Sequence, residues 1–113
     1  MADMIKRFET MLEAGQDSPM LRLSLGNALV AAGRLNDAIV HLEQAIEQDP
    51  GYSAAWKLLA RQLLATGDAA RALRTCEQGI AVAQGKGDLQ AVREMEVFAR
   101  RARKQLELPP AKS

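Results

Sequence analysis

Aromatic side chains are scarce in this chain, at 4% of 113 residues. Packing then falls to leucine and alanine, which lose little side-chain freedom in a helix, so an all-α protein is expected. Cysteine is nearly absent too: Cys76 stands alone, which excludes an internal disulfide and fits a reducing compartment. With His41 as the single histidine, there is no ligand spacing for a metal and no catalytic constellation, so neither cofactor nor enzymatic activity is expected. No apolar run approaches the roughly 20 residues of a membrane span. The opening "MADMIKRFETML" carries acidic residues and no stretch apolar enough for a signal peptide. The net charge is +1, so no overall field draws in nucleic acid or an anionic membrane. These absences describe a cytoplasmic, soluble helical domain.

What is present is apolar spacing of three and four residues almost throughout. It predicts a first helix over 3–14 with Met4, Phe8, Met11 and Leu12 on one stripe, capped by Gly15. Ser18 and Pro19 open a second helix that runs to about Ala32 and stops at Gly33. The third starts near Asn36 and is broken by Asp49-Pro50. Ser53 reads as the N-cap of a fourth over 54–66, and Asp68 as the cap of a fifth reaching about Ala83. "GKGD", Gly85 to Asp88, reads as the next turn, with Asp88 opening a last helix to about Leu106. One domain over 1–108 is expected, with 109–113 a disordered tail.

The punctuation repeats. Gly33 and Gly67 lie 34 residues apart, as do Leu25 and Leu59, Leu29 and Leu63, Ala38 and Ala72, and Ile46 and Ile80. A pair of antiparallel helices this small cannot bury its apolar face alone, so the units must stack. With Leu25-Gly26, Leu29, Ala38, Leu42, Ala45 and Pro50 in residues 19–52, the chain resembles the tetratricopeptide repeat family. Trp56, Leu59-Ala60, Leu63, Ala72, Cys76 and Gly79 repeat the pattern in 53–86. Arg22 stands where the family has tryptophan, and Gln84 where it has proline, which suggests that the fifth helix runs on to Gly85. Helices 3–14 and 88–106 flank the two units, the first like a second helix without its partner, the last like a terminal cap.

The resemblance implies a helical solenoid whose first helices line a concave groove, hence a protein-interaction module, an adaptor or scaffold, reading a partner's peptide or helix. Carried over position by position, the groove offers Met20, Leu23, Asn27 and Val30 from the first unit. The second offers Ala54, Lys57, Arg61, Leu64 and Ala65. The last helix, continued in the same register, offers Ala91, Met95 and Phe98. Asn27, Lys57 and Arg61 match part of the clamp with which chaperone-binding members hold an acidic peptide C-terminus; the clamp's first Lys and Asn have no counterpart. The plainer alternative is that Lys57 and Arg61 simply solubilise an exposed helix face.

The other function class is structural, a weak homodimer in which Leu89, Val92, Met95 and Phe98 meet a second copy. His41 reads as chemically silent and Cys76 as buried packing. The cluster Arg100, Arg101, Arg103, Lys104 lacks the interleaved aromatics of a nucleic-acid surface. Neither nucleic acid nor membrane is an expected partner.

Overall fold

The computed structural model describes residues 2–107 and contains, among these, six helices and no strand: α1 (Ala2–Glu13), α2 (Pro19–Ala31), α3 (Leu35–Gln48), α4 (Ser53–Ala65), α5 (Ala69–Lys86) and α6 (Leu89–Gln105). The tail expected over 109–113 lies outside the described residues. Each helix packs on the next, and α6 also reaches back to α4. The result is elongated, 47 × 28 × 19 Å.

Local chemistry ends each helix where the chain must turn. Ser18 accepts from the Leu21 amide at 3.1 Å, and Pro19 takes the first helical position, where its missing N–H is no loss. Asp68 caps α5 through the Arg71 amide, and Asp88 caps α6 through the Ala91 amide. The turns inside the two pairs require a left-handed residue, and Gly33 (φ 76°) and Gly67 (φ 88°) supply it without the steric cost a Cβ brings.

Ser53, expected as an N-cap, is instead the first residue of α4; Tyr52 precedes it and makes no side-chain cap. The Ser53 hydroxyl donates to Asp88 Oδ2 at 2.8 Å, so it ties the start of α4 to the start of α6. "GKGD" also departs from expectation, since Gly85 and Lys86 are helical and only Gly87 (φ 73°) turns. The cause is the residue aligned with Pro50. Proline stops α3 at Gln48, whereas Gln84 has an amide hydrogen to donate and lets α5 continue.

Leu25, Leu29, Ala38, Leu42, Leu59, Leu63 and Ala72 form one buried cluster at the centre. Ala60, Cys76, Ala83, Ala91, Val92 and Met95 form a second, toward α6, with Trp56 and Phe98 packed against it. The small residues sit where backbones meet. A Cβ on Gly26 would lie 2.8 Å from Leu42 Cδ2, and one on Gly79 would lie 2.9 Å from Trp56 Cβ.

Candidate functional site

The overrun of α5 decides which face α6 presents. α5 has 18 residues against 14 in α3, and the link that follows is two residues, 87–88, where 49–52 follows α3. α6 therefore begins 36 residues after α4, whereas α4 begins 34 after α2. Two extra residues turn a helix by roughly 200°. Extending the 34-residue register into α6 selects the wrong face, and the burial pattern says so: Ala91, Val92, Met95 and Ala102 are all buried.

This corrects the groove inferred from sequence. Met95 is completely buried, with its sulfur above Gly79, so it lines no groove. Ala91 is buried likewise, and Phe98 packs inward against the second cluster. Nor do Leu89, Val92, Met95 and Phe98 form one face for a second copy, because Val92 and Met95 are already used inside the chain. On a 36-residue offset, the α6 residues level with Lys57, Arg61, Leu64 and Ala65 are Arg93, Val97, Arg100 and Arg101. All three arginines are exposed.

Leu23 on α2 and Leu64 on α4 are half-buried, each resting on the central cluster with part of its surface free. Asn27 and Arg61 are exposed. Met20, at the start of α2, is 70% exposed, a large apolar side chain left in water. Lys57 is not a free cation: its ammonium lies 2.8 Å from Glu94 Oε2 on α6. That pair joins α4 to α6, and hydrogen bonding from the Lys57 ammonium, with its charge a smaller contributor, holds the Glu94 carboxyl below its ordinary range. The ionic partner of Glu94 lies on another helix, which spacing along one helix cannot reveal.

A second polar cluster lies at the other end. Arg22 grips Asp17 with two parallel hydrogen bonds of 2.8 Å, and Gln48 donates to the same carboxylate at 3.0 Å. Those bonds, Arg22 first, hold Asp17 well below the usual carboxylate range. Arg22 Nη1 also approaches His41 Nδ1 to 3.0 Å. A guanidinium can only donate, so Nδ1 accepts and the ring's proton sits on Nε2. Burial, then the Arg22 charge, push the His41 pKa down, and the ring is neutral. In α4, Trp56 occupies the position aligned with Arg22 and does a parallel job, donating from Nε1 to Pro50 O at 2.8 Å. Both residues fasten a first helix to the turn before it.

Cys76 is buried, and that burial, with the Glu77 carboxylate as the next contributor, pushes its thiol up to about 11. It is therefore a thiol and not a thiolate nucleophile at neutral pH. Among the described residues no group of three or more His, Cys, Asp or Glu side chains is placed to hold a metal, and no helix is long and apolar enough to cross a membrane.

The stacked helix pairs, the small residues at their crossings and the left-handed glycines point one way, and comparison decides it. The tetratricopeptide repeat family model matches residues 29–95, more than half of the chain. The chain belongs to the tetratricopeptide repeat family. A tetratricopeptide repeat-containing protein of Pseudomonas aeruginosa is 47% identical over 98 residues, covering 87% of this chain and 93% of that protein. The solution structure of a Bordetella parapertussis protein is 40% identical, covers 89% of this chain and 88% of that one, and superposes with a TM-score of 0.76. The TPR2B domain of yeast Sti1, solved as a complex with pHsp70, shares the fold at a TM-score of 0.81 and 22% identity, over 89% of this chain and 81% of its own. Tetratricopeptide repeats are generally a protein-interaction fold.

Proposed function

We propose that the chain is a cytoplasmic adaptor that takes a partner's peptide or helix along the groove-facing side of α2, α4 and α6. The carrying observation is the row Met20, Leu23, Asn27, Arg61 and Leu64. Each stays at least partly exposed at a position the family resemblance assigns to the groove, while the residues beside them, Leu21, Leu25, Ala60 and Leu63, are buried and hold the fold. Apolar side chains left in water next to hydrogen-bonding ones suit a peptide that offers both. The Sti1 domain, which shares this fold and was solved as a complex with pHsp70, supports the same reading.

Of the partial clamp, Asn27 and Arg61 remain available, whereas Lys57 must first give up Glu94 before it can meet a partner's carboxylate. Affinity accordingly rests on the apolar contacts with Arg61 as the polar guide. A pull-down from lysate, comparing the wild type with a Leu23→Asp, Arg61→Glu double variant of unchanged helicity, tests the groove. Partners kept by the first and lost by the second place recognition there. Equal retention refutes it.

A further inference from the structure

We infer that the α6 side of this groove reads acidic side chains: Arg93, Arg100, Arg101 and Lys104 receive the glutamates or aspartates of a partner segment whose apolar residues lie against α2. The inference rests on the groove reading and adds the chemistry and direction of the ligand.

Its first support is the phase of α6. The inward positions Ala91, Val92, Met95 and Ala102 fix the rotation of the helix, and the opposite side carries Arg93, Arg100, Arg101 and Lys104, all exposed. At steps of three, four and seven residues these stand on one face, with half-buried Val97 among them. The 36-residue offset sets Arg93, Arg100 and Arg101 level with the groove positions of α4, and Lys104 lies one turn further on.

The second is that these charges are unspent. The ion pairs among the described residues occupy Arg22, Arg34, Lys57, Arg71 and Arg103, and none of the four. Arg103 differs from its neighbours because it turns toward Glu77 on α5, at 3.5 Å. The helix dipole accounts for cations in the last turn of α6. It does not account for Arg93, in the N-terminal half of the helix, where the dipole offers a cation nothing.

The third is the contrast across the groove. The α2 positions Met20, Leu23, Asn27 and Val30 carry no charge, α4 adds Arg61, and α6 adds four cations. A surface graded from apolar to cationic is complementary to a segment graded from apolar to acidic, and arginine's planar fork matches a carboxylate with two hydrogen bonds. Nucleic acid fits less well, because the one aromatic residue of α6, Phe98, packs inward and leaves no stacking platform.

The test is fluorescence anisotropy with a fluorescein-labelled peptide carrying two leucines followed by four glutamates. The variants are Arg100→Glu with Arg101→Glu, Lys57→Ala, and Leu23→Asp. The α6 double variant weakens binding by about tenfold or more, and a peptide with lysines for glutamates recovers affinity for that variant. Lys57→Ala stays within about twofold, as its charge is already neutralised. Circular dichroism confirms that the exposed substitutions leave the helices intact.

Equal binding by the α6 double variant, or by a peptide with glutamines for glutamates, overturns the inference. No binding of the glutamate peptide by the wild type also overturns it, as does tighter binding of a single-stranded oligonucleotide or phosphatidylserine vesicles through the same arginines. If Leu23→Asp abolishes binding and the α6 change does not, the groove stands and the acid-reading face falls. If the α6 change acts and Leu23→Asp does not, the groove itself is misplaced.

Discussion

Two glycines of α5 give a paired experiment on the close approach that holds the second cluster. Gly79 and Gly85 are both helical, so replacing either by alanine gains helix propensity, about 1 kcal/mol in a helix interior and roughly half that in the last turn. They differ in what the new methyl meets. At Gly79 a Cβ would lie 2.6 Å from Met95 Sδ, 2.9 Å from Trp56 Cβ and 3.3 Å from Met95 Cε. Met95 can bend away, but Trp56 Cβ is anchored to the α4 backbone and cannot.

At Gly85 nothing lies within 4 Å. Overpacking of this kind costs about 1–3 kcal/mol, so Gly79→Ala is destabilising by about 0–2 kcal/mol net. Gly85→Ala is stabilising by about 0.5 kcal/mol. At about 4 °C per kcal/mol for a domain of this size, the two variants melt roughly 2–10 °C apart. Far-UV circular dichroism melts, checked by urea midpoints at equal m, measure the gap. Equal melting temperatures would mean that α4, α5 and α6 do not approach at Gly79 as described.

Ala38→Leu or Ala72→Leu, at fully buried crossings, lowers stability by about 1–3 kcal/mol, while Ala81→Leu on the exposed side of α5 does little; a urea titration in which all three match refutes the crossings. Lys57→Glu sets two carboxylates together where an ion pair stood and lowers the melting temperature, and adding Glu94→Lys restores it. A silent Lys57→Glu would return Lys57 to the free groove cation expected from sequence. For His41, burial and the Arg22 charge hold the pKa below 6.5 against the upward pull of Glu9, Asp37 and Asp17. The unfolded chain then binds a proton that the fold refuses, so this contribution to stability is complete above about pH 6.5 and is lost as pH falls through that value. His41→Gln flattens the stability profile between about pH 7 and 5; an unchanged slope in urea titrations across that range refutes the assignment.

The helical pairs were legible in the sequence because they rest on local rules. Glycine at a left-handed turn, proline against a helix and alanine at a crossing each leave a mark at a fixed spacing. Gly26 and Gly79 stand at small positions of the repeat pattern, and the Cβ distances mark both as close-approach points. Even the overrun of α5 was signalled by Gln84. What could not be carried forward was its consequence one helix later. A slip of two residues is small along the chain and large around the helix axis, so Met95 and Phe98 moved from groove to interior and Arg93 emerged in their place. The Lys57–Glu94 and Arg22–His41 contacts were hidden for a different reason: each joins residues from separate helices, and spacing along one helix does not report on them.

The seam between α5 and α6 also sets where this fold can be lengthened. A duplicate of residues 19–52 spliced in ahead of residue 53 keeps the 34-residue step, so every inserted helix arrives in phase and the groove grows by one unit. Across the α5–α6 junction the step is 36 residues, so a sequence copied over it must carry a two-residue shift to present the same face. The missing proline at residue 84 thus sets the phase of the helix that follows, one helix before the change shows.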